Sequence, residues 1–315
     1  MTSADETTLA DLRTKPRIAA ALSQIEREPD RVTALLDEAF ANPKGLVIGI
    51  TGPPGAGKST LINALIGEWR KEGLTVAVVA VDPSSRATGG ALLGDRVRMR
   101  TDPDDTGVFV RSVAARGRLG GLADIAFPAA TLLRALYDRV IVESVGVGQS
   151  ETDITTVSDT VVLCIQPASG DSLQFMKAGI AEIPDIAVVT KADMGAAATR
   201  ALSDLKGALS LSHRDAGMWE PECLAISTVT GRDLCQLFAS FERHEAWLRQ
   251  SGRLEAAREG KVKSWAESEI ASEFGRKGLE TVNKVRSHPW VKSPFTTARH
   301  MLASLSVAVT AAWDA

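Results

Sequence analysis

Little in this sequence is extreme, and its absences exclude several classes of protein. The 315 residues carry a formal charge of −3, from 36 Lys and Arg against 39 Asp and Glu. That balance gives no overall electrostatic footprint for nucleic acid or a membrane surface. A local basic patch remains open, because Arg96, Arg98, Arg100, Arg111, Arg116 and Arg118 crowd one region. No apolar run approaches the about 18–20 residues needed to cross a bilayer. The first residues, "MTSADETTLADL", are acidic. They lack both the apolar core of a signal peptide and the Arg-rich, acid-poor composition of a transit peptide, so a cytoplasmic location is expected. Cysteine is scarce: Cys164, Cys223 and Cys235 are scattered, the first two in apolar strand-like runs. All three are expected as reduced thiols in or near the core. There are no internal repeats and no low-complexity segments.

What is present is a long alternation of apolar runs and helical periods. Residues 1–44 read as a helical extension. Ile18, Leu22 and Ile25 share one helical face, and Val32, Leu35, Leu36, Ala39 and Phe40 another, with Pro29 between them. Residues 45–250 alternate helical stretches with the runs "LVIGIT", "TVAVVAVD", "VFVRS", "RVIVES", "TVVLCIQP", "IAVVTKAD" and "ECLAIST". These runs are continuously apolar rather than alternating, which requires burial on both faces. The expected fold is therefore α/β, with a mostly parallel sheet flanked by helices. Strand signals stop near Glu242, and residues 251–315 are expected as a C-terminal helical arm. Its apolar stripe (Val262, Trp265, Glu269/Ile270, then Leu302, Leu305 and Val309) must be covered by the core or by a second subunit.

The chemistry starts at "GITGPPGAGKSTLINAL", residues 49–65. Gly52 to Ser59 match the G-x-x-x-x-G-K-[ST] phosphate loop, between a strand ("LVIGI") and an amphipathic helix. Glycines there let backbone N–H groups turn toward phosphate oxygens, and the following helix points its positive end at the same anion. Nucleotide contacts are expected from Gly52, Pro53, Pro54, Gly55, Ala56, Gly57, Lys58, Ser59 and Thr60. Lys58 would reach the β- and γ-phosphates and Ser59 would ligate Mg²⁺.

Later strand ends speak to the base. "AVVTKAD" places Thr190, Lys191 and Asp193 after a buried strand, close to the N-K-x-D guanine signature but with Thr for Asn. A carboxylate at Asp193 can accept from both donors on the N1/N2 edge of guanine. Adenine presents an acceptor at N1 and would leave that carboxylate unpaired, which is costly in a partly buried site. The Lys191 alkyl stem would lie along the base. Ser227 and Thr228, in "AISTVTG", stand where backbone groups could close over it. A helix-capping Asp after a strand is the bland alternative for Asp193.

Three acids stand at or beyond strand ends: Asp82 in "VAVVAVDPSS", Asp95 in "GDRVRM" and Glu143 in "VIVESVGVGQSE". This is the edge at which open α/β sheets bind ligands. Acids there would hold Mg²⁺ through its waters, with Ser59 as the remaining protein ligand. Gly146 could donate its N–H to the γ-phosphate, and Gln149 could orient the attacking water. The expected catalytic set is Lys58, Asp82, Glu143 and Gln149.

Together, "VDPSSRATGGALLGDRVRM", "RGRLGGLA", "VESVGVGQSE", the phosphate loop and "TKAD" resemble the methylmalonyl-CoA mutase-associated GTPases, G-protein metallochaperones of the SIMIBI class. The likeness spans about residues 15–250 and continues loosely into the helical arm. It implies a homodimer with a C-terminal dimerisation arm, binding GTP/GDP and Mg²⁺. It also implies an adenosylcobalamin-dependent acyl-CoA mutase as partner, with GTP gating cofactor loading and removal of damaged cofactor. The family's metal and catalytic acids map onto Asp82, Asp95 and Glu143, and its switch glutamine onto Gln149. Its partner-coupling segment maps onto "QPASGDSLQFMKAG", residues 166–179, containing Asp171, Gln174 and Lys177. Three departures stand out: Ser172 replaces an acid, Arg118 a common His, and Thr190 the usual Asn. The first two fall where partner coupling is expected. They point to a client related to methylmalonyl-CoA mutase, such as a mutase of isobutyryl-, hydroxyisobutyryl- or ethylmalonyl-CoA.

Two other readings compete. A nickel-delivering GTPase needs Cys/His ligands beside its switch, yet His213, His244, His288 and His300 are all late and no C-x-x-C or Cys–His pair occurs. A kinase of a transport component needs a hydroxyl-substrate site and a catalytic base that the sequence does not display. No arginine finger is evident, although Arg116 or Arg118 could act in trans, so slow intrinsic hydrolysis is expected.

Overall fold

The computed structural model describes residues 7–83, 99, 102, 104–115, 125–144, 153–168, 180–211, 215, 217–284 and 293–313. All seven apolar runs are strands: β1 (Leu46–Thr51), β2 (Val76–Pro83), β3 (Val108–Ala115), β4 (Arg139–Glu143), β5 (Thr160–Ile165), β6 (Ile186–Val189) and β7 (Glu222–Ala225). They form one sheet in the order β3-β2-β4-β1-β5-β6-β7. Every pairing is parallel.

Eight longer helices surround the sheet among the described residues: α1 (Lys15–Arg27), α2 (Thr33–Ala41), α3 (Lys58–Lys71), α4 (Ala126–Leu136), α5 (Ala196–Leu209), α6 (Leu234–Gln250), α7 (Arg253–Lys284) and α8 (Pro294–Trp313). The pleat sends successive strand residues to opposite faces, and the core divides accordingly. Val47, Val79, Val140 and Val161 pack with α1, α2 and α4, together with Val262 and Phe295 from the C-terminal helices. Leu46, Ile48, Val78, Ile141 and Val162 face the other way onto α3 and α6. At the far end of the first face, Leu163, Ile165, Ala187 and Val189 meet α5. Both faces are thus covered, as continuously apolar strands require.

The N-terminal helices are joined to the rest by more than apolar contact. Asp37 of α2 accepts from the backbone N–H groups of Phe295 (2.8 Å) and Thr296 (3.1 Å). A carboxylate from one end of the chain therefore caps the first turn of α8, where unsatisfied N–H groups and the helix dipole favour an anion.

Helix α7 turns around the amino edge of the sheet. Leu254 belongs to the core on the α3/α6 side and Val262 to the core on the opposite side. Arg258 lies between them and donates to both carboxylate oxygens of Asp159 (Nε 2.9 Å, Nη2 2.6 Å) and to the Gly45 carbonyl (2.9 Å). Asp159 also accepts from the Val47 N–H at 2.9 Å. Burial pushes the Asp159 carboxyl up, but the Arg258 hydrogen bonds and charge outweigh it and hold the group below its usual range. Lys261 donates to the Ser158 carbonyl, and Arg134 lies nearby with its guanidinium over Phe40. Burial and the Arg258 charge lower the Arg134 pKa to about 10.

The apolar stripe of the arm is largely covered by the chain itself. Trp265 packs against Phe127 and Phe295. Ile270, Met301 and Leu302 form a separate buried cluster, with Leu305 partly buried against it. The α7 run is interrupted at Gly275, whose φ of 65° only glycine adopts readily. Val307 is exposed. The thiols need one correction. Cys164 is buried and Cys223 half-buried, but Cys235 is exposed rather than near the core. Leu237, Phe241, His244 and Leu248 form the inward face of α6, and Cys235 points away from it.

Removing Arg258 as Ala leaves the buried Asp159 carboxylate without its two-pronged partner, with only the Val47 N–H and the nearby Lys261 and Arg134 charges, and the expected loss of unfolding free energy is about 3–5 kcal/mol. Urea denaturation measures it, and a loss no larger than that of a surface pair, about 1 kcal/mol, contradicts this role. His244 gives a pH test. It is buried, shares a hydrogen bond of 2.9 Å with Thr160 and stacks on Trp247. Burial lowers its pKa, and the Asp185 carboxylate only partly offsets that. The unfolded chain therefore takes up the proton first, and stability falls as pH drops below the ordinary histidine value of about 6.5. The urea midpoint should decline from pH 7 to pH 5, and His244→Gln should flatten that slope; an unchanged slope excludes His244 as its source.

Candidate functional site

Strand β1 ends at the centre of the sheet, between β4 and β5, and the phosphate loop follows it. Gly52 (φ 137°), Gly55 (φ 79°) and Gly57 (φ 85°) all have positive φ. A Cβ at Gly52 would collide with the Cys164 carbonyl of β5, so the chain leaves the strand by a path open only to glycine. Helix α3 begins at Lys58 and directs its N-terminus at the loop. The Lys58 ammonium is buried within the loop, donating to the Gly52 carbonyl at 2.7 Å and the Pro53 carbonyl at 3.3 Å. Pro54 and Thr60 are, like these residues, part of the continuous loop-to-helix turn.

Beside it, at the end of β4, Glu143 is 5% exposed and accepts from the Ser59 hydroxyl at 3.2 Å. A hydroxyl and a carboxylate in contact are hard oxygen donors of the kind Mg²⁺ takes. Asp82 lies at the carboxyl end of β2 by its backbone, in register with Ala114. Asp95, Gly146 and Gln149 lie outside the described residues, as do Arg116, Arg118 and most of the 166–179 segment. Of the arginines that crowd one region, Arg111 is engaged with Ser23 and Glu26 of α1.

The residues expected at the base converge from three loops. Thr190 is buried, and its hydroxyl lies 2.8 Å from the Ala56 carbonyl and 3.1 Å from that of Ile165. The Thr that replaces Asn thus ties the phosphate loop to the ends of β5 and β6. Lys191 follows in a left-handed conformation (φ 55°), and its ammonium donates to the Gly55 carbonyl (3.2 Å) and to Gln166 Oε1 (2.7 Å). Asp193 accepts from the Ser227 hydroxyl at 2.5 Å, and that bond holds its carboxyl below the usual range. Ser227 is buried, and its Oγ also receives the Thr230 N–H at 3.3 Å. Thr228 is half-buried. Asp193 itself is exposed, so the partly buried setting assumed for its base contact is absent here. Its orientation comes from Ser227.

Two residues to which the sequence motifs assign no role take part, and a third stands at the head of the 166–179 segment. The Ser144 hydroxyl donates to Thr51 Oγ1 at 2.8 Å, joining the residue before the phosphate loop to the residue after Glu143, both buried. Gln166 is the third. Each is the last or next residue at a strand's carboxyl end, the position that singled out the acids. Their neutral side chains carry no comparable signal.

This arrangement agrees with what the chain is similar to. The family model "Methylmalonyl Co-A mutase-associated GTPase MeaB" matches residues 18–281. A Pyrococcus horikoshii protein designated a GTPase is 41% identical over 263 residues, covering 82% of this chain and 83% of its own length. GTPase ArgK of Escherichia coli is 37% identical over 231 residues, 72% of this chain and 70% of that protein. The mouse mitochondrial "Methylmalonic aciduria type A homolog" is 37% identical over 221 residues, 69% of this chain and 53% of its own. Among solved structures, one titled LAO/AO transport system kinase superposes with a TM-score of 0.66 at 27% identity, covering 98% of this chain and all of that one. The chain belongs to the methylmalonyl-CoA mutase-associated GTPase family.

Proposed function

We propose that this GTPase is a cytoplasmic, homodimeric chaperone of an adenosylcobalamin-dependent acyl-CoA mutase. In this reading, GTP binding and hydrolysis gate cofactor loading and the removal of damaged cofactor. The supporting observation is the gathering of Lys58, the Ser59–Glu143 pair and the Ser227–Asp193 pair on one sheet edge, in a chain of this family.

Each group has a separable task. Backbone N–H groups of residues 52–59 and the N-terminus of α3 take the phosphates. Lys58, held at the loop, gives a point charge to the β- and γ-phosphates. Asp193, ionised and oriented by Ser227, accepts from the two donors of the guanine edge. Ser59 and Glu143, with Asp82 and Asp95, would hold Mg²⁺. That ion supplies neutralisation of charge on the β- and γ-oxygens. By the family resemblance, Gln149 would orient the attacking water and the Gly146 N–H would donate to the γ-phosphate. With no arginine assigned to the transferring group, intrinsic hydrolysis is slow, and a client that orders the switch segments accelerates it. The Ser172 and Arg118 departures favour a client other than methylmalonyl-CoA mutase itself.

Lys58→Ala is expected to abolish binding of GTP, read by calorimetry. Asp193→Asn should lower GTP affinity about 100-fold, from loss of two charge-assisted hydrogen bonds, and turn preference toward xanthosine triphosphate. Retained GTP preference removes Asp193 from the base site. For the client, steady-state GTP hydrolysis is measured alone and with each of several purified cobalamin-dependent acyl-CoA mutases, with ATP as control. Strong stimulation by one mutase identifies it. Failure of all of them, with GTP still bound, refutes the chaperone reading and leaves a GTPase with another client.

A further inference from the structure

We propose that Gln166 is a positioning residue of the base site, fixing the pose of Lys191 so that its alkyl stem forms a shelf for any purine. The inference rests on the base-pocket reading above and adds a residue to it.

Lys191 needs such support. It is exposed, and a lysine has several rotatable bonds, so its stem does not hold one pose unaided. Two acceptors fix the ammonium. One is the Gly55 carbonyl of the phosphate loop at 3.2 Å, the other Gln166 Oε1 at 2.7 Å. The shorter contact comes from Gln166, and charge-assisted bonds of this length are the stronger ones. An ammonium only donates, so the amide oxygen rather than its nitrogen must face it.

Gln166 is itself well placed to act as an anchor. It follows directly on β5, whose register with β6 pairs Ile165 with Val189, immediately before Thr190 and Lys191. The Thr190 N–H donates to the Ile165 carbonyl at 2.9 Å, locking the two strand ends together. The amide also lies against Gly55, close enough to contact a side chain placed there. Gln166 therefore joins the sheet, the phosphate loop and the base-side lysine at one point.

The consequence is a division of labour in recognition. Asp193 reads the guanine edge and discriminates among bases. The Lys191 stem, held by Gln166, offers apolar contact to the face of the ring, which guanine and hypoxanthine share. Phosphates are bound elsewhere in the loop. Loss of Gln166 should then weaken all purine triphosphates alike and spare a ligand with no base.

The test measures affinities of GTP, inosine triphosphate and inorganic tripolyphosphate for the full chain, wild type and Gln166→Ala. The expected result is a loss of about three- to tenfold for both nucleotides, the scale of one hydrogen bond, with tripolyphosphate affinity retained. Gln166→Glu, which keeps an acceptor, should restore both. In a Lys191→Ala background Gln166→Ala should add nothing, because its effect passes through Lys191. An undiminished effect there, or equal loss of tripolyphosphate binding, overturns the proposal and makes Gln166 a support of the phosphate loop. Wild-type nucleotide affinity in Gln166→Ala overturns it as well. Asp193→Asn separates the two levels. If it switches preference to xanthosine triphosphate while Gln166→Ala is silent, only this inference fails, and if it does not switch, the base-pocket reading fails.

Discussion

Everything at the nucleotide edge depends on β1 lying between β4 and β5 in a sheet whose strands all run the same way. Parallel strands deliver their carboxyl ends to one edge, and connections leaving in opposite directions from a central strand open a crevice there. The phosphate loop follows β1, Glu143 ends β4 and Gln166 follows β5. None of these groups needs a long loop to reach the others. The cost is steric: the chain turns off β1 against the carbonyl of Cys164, which restricts position 52 to glycine.

The same strand is fixed at its other end by a different interaction. Asp159 receives the Val47 N–H and the Arg258 guanidinium, and Arg258 also reaches the Gly45 carbonyl. A buried ion pair is not in itself a source of stability, since desolvation opposes the attraction. Its contribution here is geometric. It fixes where α7 crosses the amino edge, and so where Trp265 meets Phe127 and Phe295. With Asp37 capping α8, the two ends of the chain are joined on the face that also buries α1 and α2. The helical extension and the proximal arm share one core with the sheet.

The sequence was most legible where a single physical requirement dominates. Continuous β-branched runs have to be buried on both faces, and all seven became parallel strands. Glycines followed by Lys-Ser between a strand and a helix have few uses other than a phosphate loop, and Lys58 begins α3 where that reading requires it. Legibility failed where a role is carried by a small neutral group or by distant pairing. Thr190 reads as a weakened guanine motif, yet its hydroxyl binds the phosphate loop. Ser144 and Thr51 are 93 residues apart and meet only because β1 and β4 are neighbours. The Arg258–Asp159 pair spans 99 residues, and no local pattern announces it. The arm's stripe was legible as a stripe, but what covers it depends on where α7 crosses the sheet. Cys235, expected in or near the core, is exposed, and the period of its own helix turns it outward.

The carboxyl edge of this sheet has the makings of a guanine-nucleotide site, with Lys58, the Ser59–Glu143 pair and the Ser227–Asp193 pair gathered on it. Calorimetric titration of the 315-residue chain with GTP and with ATP, side by side, in Mg²⁺ buffer tests this. Saturable one-site binding of GTP is expected, with at least about 100-fold weaker binding of ATP, whose base offers Asp193 an acceptor in place of a donor. Equal affinity for the two nucleotides would contradict it, because the phosphate loop alone would then account for all of the binding.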